Sequence, residues 1–314
     1  MKLRQASLLD LNRIEQIHRE AEARFSAVPP PARLWALVSQ TFSAFLPLSQ
    51  ETVIYVAELD GRVAGFIQAS GRPATLVLPA KVGSLQMLNL CVAESADEGQ
   101  VARGLIEYLC EQAGKIGAHR LFVRVPLDDM LLPIFRRQGF RQYATESVLY
   151  AERPKARATD VPAGLRSVRG RDSRALYHLY RKVTPMGVAH LEAPSYRDWK
   201  SLRSAPGQQE VLDRMEIVGW YRVQKSSQGR PHTLSFMALP EAGLADELAD
   251  HAINTASAEP AWSSLRHYDS DMIEALRGRG FSLLLSQALL VREVTLKVPA
   301  EQKQLAPALN PAYG

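Results

Sequence analysis

Two landmarks in this chain occur twice, and a duplicated order of elements constrains its fold more than any other feature. Leu3-Arg4 followed by Asp10 returns as Leu165-Arg166 followed by Asp172, 162 residues later. Gly139-Phe140 returns as Gly280-Phe281, 141 residues later. The second copy is therefore 21 residues shorter between its landmarks. At 314 residues the chain is long for one hydrophobic core and suits two domains of about 150 residues.

The first copy opens with a short strand at 3–5 and a helix whose face carries Leu11, Ile14, Ile17 and His18. Pro29, Pro30 and Pro31 end that helix, and a second helical segment runs over 34–46 to Pro47. Residues 52–59 and 62–69 are rich in β-formers and flank Asp60-Gly61, the clearest hairpin signal in the chain. Residues 85–92 are a short, mostly apolar run, which predicts an interior strand. After a loop, Val101, Leu105, Tyr108 and Leu109 make one helical face apolar, predicting a helix over 101–114. A strand feeding a helix through small residues aims that helix's first amides at one spot, which suits a phosphate. Next come a buried strand at 119–125, a helix at 128–138 closing on Gly139, and returning strands at 140–151 with Glu146 as a polar interruption.

The 85–109 stretch resembles the strand, pyrophosphate loop and helix with which GCN5-related N-acetyltransferases (the GNAT superfamily) bind acetyl-CoA. The spacing of thirteen from Val92 to Leu105 matches that family's loop. Its motif positions fall on Asp97, Gln100 and Ala102, with Gly99 one out of register, and Asp97 and Glu98 bring negative charge to the loop. Residues 131–140, LLPIFRRQGF, are similar to the family's second signature, a helix ending in Gly-Phe.

The resemblance implies an α/β fold of two tandem GNAT-like (acyl-CoA N-acyltransferase) domains, each a mixed central sheet flanked by helices. The expected units are a candidate acetyl-CoA-binding domain at 1–152, a linker at 153–164, a degenerate copy at 165–298 and a mobile tail at 299–314. It also implies acetyl transfer from acetyl-CoA, as co-substrate and without a metal, to the amine of a small molecule or peptide. By match, the backbone donor for the carbonyl lies near Leu90 and Val92. The phosphates meet the amides of Gln100, Val101, Ala102, Arg103 and Gly104, and Arg103 adds charge. The tyrosine that protonates the leaving thiolate maps to Phe135, which has no proton to give, and to Leu276 in the second copy. Glu94 and Asn89 are the candidate catalytic residues, with His119 at the start of the next strand. Their plain readings are a solvated carboxylate, a satisfied strand amide and a strand-end imidazole. The alternative function is a catalytically silent tandem GNAT-fold protein that binds a protein or small-molecule ligand.

The second copy reads as helices at 171–183 and 196–202, strands at 217–224 and 233–239, and a helix at 244–256. A strand at 263–268, a helix at 271–279 closing on Gly280 and final strands over 281–298 complete it. Only five residues lead from Leu239 to Leu244, a loop expected to be too short to wrap a pyrophosphate. His267-Tyr268-Asp269 is a polar cluster at a strand end, read as a loop entry rather than as pocket lining.

Other classes are excluded by what is missing. The longest apolar stretch, around 281–291, is too short for a membrane span and is interrupted by Ser286 and Gln287. The N-terminus has no signal-peptide core, so a cytoplasmic location is expected. Cys91 and Cys110, the two cysteines, are expected as buried thiols, and the seven histidines show no metal-ligand spacing. The net charge of +5 is modest, and the densest basic stretch, 153–174, lacks interleaved aromatics. It reads as a solvated linker, and nucleic acid is not an expected partner. The oligomeric state and the acceptor amine are left open; acceptor contacts are expected from loops at 27–33 and 71–83.

Overall fold

The computed structural model describes residues 1–26, 52–73, 82–157, 161–202, 207–226 and 231–294. The helix expected at 34–46, the loop at 27–33, most of the loop at 71–83 and the tail at 299–314 lie outside the described residues.

The first half runs β1 (Lys2–Gln5), a 3-10 turn, α1 (Leu11–Ser26), β2 (Thr52–Leu59), β3 (Arg62–Pro73), β4 (Val82–Val92) and α2 (Glu98–Lys115). It ends with β5 (Arg120–Pro126), α3 (Leu131–Arg137) and β6 (Arg141–Ala151). The second half runs β7 (Leu165–Ser167), a 3-10 turn, α4 (Ser173–Val183), α5 (Met186–Glu192) and α6 (Tyr196–Leu202). There follow β8 (Gln208–Arg214), β9 (Glu216–Gln224), β10 (His232–Ala238), α7 (Ala245–Thr255), β11 (Ala261–Arg266), α8 (Ser270–Arg277) and β12 (Ser282–Glu293). The expected order holds, with α5 and β8 added. In β8 only Val211 and Leu212 are buried apolar residues, too few to show a period of two. Its turn into β9 places the exposed Met215 at φ 67°, a left-handed position usually announced by Gly or Asn. The equivalent turn in the first half has Asp60 at φ 49° and Gly61 at φ 77°, which is why that hairpin was legible.

Among the described residues the strands form one twelve-stranded sheet, ordered β1-β2-β3-β4-β5-β12-β6-β11-β10-β9-β8-β7. Each half holds the other's last strand. β12 lies antiparallel between β5 and β6, while β6 lies antiparallel between β12 and β11. The two mixed sheets are thus joined through an exchanged pair. At its centre Glu146 faces Gln287, its own counterpart at the repeat spacing of 141.

The Gln287 amide donates to Glu146 at 2.6 Å, and Arg266 and Arg124 stand 3.1 and 3.4 Å from the same carboxylate. These arginines lie near the ends of the corresponding strands β11 and β5. Glu146 is 3% exposed, and the arginines and the Gln287 amide hold its pKa below the ordinary glutamate value despite burial. What reads as an interruption in sequence is the polar centre of the molecule.

The repeated Leu-Arg…Asp landmark is a repeated device. Arg4 pairs with Asp10 at 2.7 Å and Glu58 at 2.9 Å; Arg166 pairs with Asp172 and Asp213, each at 2.7 Å. In both halves the aspartate also accepts a backbone N–H three residues back, from Ser7 or Arg169, at 2.7 Å. It ties the first strand to the second and starts the following helix. Gly139 and Gly280 are likewise equivalent, at φ 80° and 92°. Each lets the next phenylalanine amide return to the helix, onto Phe135 or Leu276.

Successive strand residues face opposite sides, so Phe66 and Val56 meet Ile14 and Ile17 of α1, while Ile67, Tyr55 and Ala57 meet Val101, Leu105 and Leu109 of α2. Fully burying each such Leu, Ile or Phe contributes roughly 1.5–3 kcal/mol. The second half repeats the pattern, with α4 and α7 packed across β9 and β10. The stretch after β6 is docked rather than solvated. Arg157 donates its backbone N–H to Asp250 at 2.6 Å, and Lys155 N–H donates to the Arg279 carbonyl at 3.0 Å. Asp250 in turn grips the buried Arg279 guanidinium through two bonds of 2.6 Å. No disulfide joins Cys91 and Cys110; Cys110 is buried as expected, Cys91 is only half-buried, and burial pushes the Cys110 thiol up to about 11.

Candidate functional site

Both halves open their sheets at the same place. β4 and β5 are parallel but pair only over Ser84–Gln86 with Arg120–Phe122. Beyond that, the β3–β4 register slips between Asn89 and Met87, leaving Leu88 as the extra residue. A bulge bends its strand and increases its twist, and here it carries β4 away from β5 as far as Val92. The result is a cleft between strand ends with backbone along one wall. In the second half, β10 and β11 pair only over His232–Leu234 with Ala261–Ser263, and again part.

The helix that closes the first cleft begins at Glu98, three residues before its expected start. The cause is Asp97. Its side chain accepts the Gln100 N–H at 2.9 Å and its carbonyl accepts the Val101 N–H at 3.0 Å, which makes it the N-cap. The expected phosphate donors are corrected accordingly. Gln100 and Val101 have their amides engaged by Asp97, and those of Ala102, Arg103 and Gly104 fall inside the helical ladder. Val101, Ala102 and Gly104 are also buried, Gly104 against the Met1 side chain, while Arg103 lies on the exposed face. The amides left at the helix start are those of Glu98 and Gly99. Around them stand Glu98, Asp128 and Asp129; burial, aided by the first two charges, holds the Asp129 carboxyl above its ordinary range.

Leu90 and Val92 lie on the parted length of β4, the latter 5% exposed. The Asn89 amide donates to the buried Gln68 at 2.7 Å, so it links strands and is not placed as a base. Glu94 is exposed just past the strand end. His119 adjoins the opposite end of β5, about 20 Å of strand away, and is outside the cleft. Phe135 is 2% exposed and packs edge-on against Phe140 at 5.2 Å. It sits in the core, and Leu276 is buried in the same way.

The second cleft differs in chemistry more than in length. Five residues connect β4 to α2 and six connect β10 to α7, so the expected contrast in loop length disappears. Pro240–Ala242 form a 3-10 turn, Gly243 is left-handed at φ 61°, and Leu244 sits at the N-cap with no side-chain cap. A cavity of about 110 Å³ remains between the strand ends, and Tyr268 and Asp269 line it. Tyr268 and Asp269, read with His267 as a loop entry, are therefore pocket lining. Among the described residues no group of His, Cys, Asp and Glu is arranged to hold a metal, and no helix is long and apolar enough to cross a membrane.

With this geometry in view, the family model described as "Acetyltransferase (GNAT) family" matches residues 14–140. That span, 127 of the 314 residues, is similar to this family. No curated protein sequence matches the chain. Among solved structures, a GCN5-related N-acetyltransferase from Sphaerobacter thermophilus aligns over 93% of this chain and 95% of its own, with a TM-score of 0.62 and 17% identity. A tandem GNAT protein from the clavulanic acid biosynthesis pathway covers 94% and 98%, with a TM-score of 0.57 and 16% identity. A putative acetyltransferase from Pyrococcus horikoshii covers 94% and 90%, with a TM-score of 0.56 and 11% identity. Over more than nine-tenths of its length the chain thus shares the fold of these GNAT structures, one of them a tandem protein.

Proposed function

We propose that the protein is an acetyl-CoA-dependent N-acyltransferase whose chemistry lies in the first GNAT half. The observation that carries this reading is the bulge at Leu88, which parts β4 from β5 and leaves a strand edge beside a helix start. Such an edge can pair with an extended, amide-bearing arm, as a further strand would. Acetyl-CoA, bound there, would supply an activated acetyl thioester. The chain's own part is to lay that arm along Leu90–Val92, to offer backbone N–H groups to the reacting carbonyl, and to set Glu98 and Gly99 amides toward the phosphates. Glu94, at the strand end, is the carboxylate placed to take a proton from an incoming amine, and the acceptor is a small-molecule or peptide amine.

The fit is good for the arm and strained for the phosphates, because Asp97 already engages the Gln100 and Val101 amides and three other acids crowd the mouth. That observation favours a second reading, a tandem GNAT protein that binds without transferring. Release of free CoA thiol from acetyl-CoA in the presence of an amine library separates the two. Turnover that is lost in Gly99→Pro supports the transferase, and no thiol release above the rate of spontaneous hydrolysis removes it.

A further inference from the structure

The cavity in the second half has a composition that a diphosphate-binding site would avoid. Its walls are Phe236, Met237, Leu239, Leu265 and Met272, and its polar side is Tyr268, Asp269, Ser270 and Asp271. Among the described residues no lysine, arginine or histidine lines it. Asp269 is the most enclosed acid there. One of its oxygens, Oδ2, accepts the Arg266 N–H at 3.0 Å, and burial pushes its carboxyl up to about 6 even though Arg266 and His267 pull it down. Arg266 gives its charge elsewhere, to Glu146 at 3.1 Å and Glu192 at 2.7 Å. The start of α7 does not reverse this balance, because its first turn carries Asp246 and Glu247. Apolar walls around a carboxylate that no cationic side chain of the described lining meets suit a ligand with a short hydrocarbon body and one positive charge.

We propose that this cleft binds a small apolar cation, a protonated alkylamine, with its chain against Phe236, Leu265 and Met272 and its ammonium on Asp269. The site stands apart from the cofactor cleft of the first half and does not depend on transfer occurring there. An amine of six heavy atoms, such as isopentylamine, is of the size the cavity of about 110 Å³ accommodates.

The methionine methyl groups provide the test, because Met237 and Met272 line this cavity while Met87 and Met130 lie in the first half. The full chain, labelled at methionine methyls, is titrated with isopentylamine, isopentanol, isovalerate and acetyl-CoA and followed by NMR. The proposal expects saturable shifts of Met237 and Met272 with isopentylamine, at least tenfold weaker binding of isopentanol, and none of isovalerate. Asp269→Asn, which keeps the acceptor for Arg266 N–H, should weaken the amine tenfold or more. Ser270→Lys, a change at an exposed position on the rim, should do the same. Isovalerate or acetyl-CoA shifting Met237 and Met272 at lower concentration than the amine would overturn it, as would unchanged amine affinity in both variants or no shift at all. Shifts of Met87 and Met130 with acetyl-CoA report separately on the first cleft, so either reading can fail without the other.

Discussion

The two clefts are built on the same backbone plan and filled with opposite chemistry. In the first, an aspartate caps the helix and acids ring two remaining amides. In the second, an uncapped leucine starts the helix and apolar side chains enclose the half-buried Asp269 carboxylate. By contrast, the Arg-Asp device at the start of each half is kept almost to the tenth of an ångström. The difference teaches where the duplication is constrained. Groups that start a helix and pin a strand are repeated because the fold needs them, whereas loops at strand ends vary without disturbing the sheet.

The comparison breaks most severely if the halves are separated. Residues 1–157 alone lack β12, which fills the space between β5 and β6. They should show no cooperative thermal transition by circular dichroism, whereas a well-folded monomeric fragment would show that the strand exchange is dispensable. Next in size is the pair at the centre of the sheet. Glu146→Ala takes a carboxylate from the exposed Arg124 and one of two from the half-buried Arg266, which keeps Glu192, and should destabilise the protein by about 3 kcal/mol in urea. Gln287→Ala, at the equivalent position, removes one hydrogen bond and should cost about 1–2 kcal/mol. Equal effects would mean that the centre is symmetric in energy as well as in place.

Smaller effects test the repeated device. Asp10→Ala and Asp172→Ala should each lose about 1–2 kcal/mol, with the two values close to each other. Both carboxyls are held below the ordinary range by their arginines, Asp172 at about 2. The stability they contribute is full above about pH 4 and is lost as pH falls toward 2. Asp269 has the opposite sign. Its folded pKa is raised to about 6, so its contribution is full below about pH 4 and is lost as pH rises through 6. Asp269→Asn should therefore flatten the upper limb of the stability profile and leave the acid limb unchanged. Smallest is Asp97→Ala, which should lose about 1 kcal/mol of helix capping. It should also tighten acetyl-CoA binding by at least about threefold, because a charge leaves the phosphate end of the cleft.

The sequence made these elements legible where local chemistry decides them. Asp60-Gly61 announces its turn, Gly139 and Gly280 close their helices, and the Arg-Asp landmark marks both copies. It was silent where tertiary context decides. β8 carries a buried pair, Val211 and Leu212, too short to show alternation, and Met215 hides its left-handed turn. Asp97 read as a charge unwelcome to phosphate, because the apolar face of α2 begins at Val101; its role as N-cap depends on where the backbone turns. The exchange of β6 and β12 had no local signal, since the pattern along a strand names its faces and not its neighbours. His267-Tyr268-Asp269 looked like a loop entry for the same reason, its partners lying on α4, β10 and α7.

The central claim is that acetyl-CoA enters the first cleft and leaves the second to other ligands. Amide hydrogen exchange on the full chain, with and without acetyl-CoA, tests it directly. The account predicts slowed exchange across residues 88–101 with no change across 236–248. Protection confined to 236–248, or no protection in either segment at saturating acetyl-CoA, would contradict it.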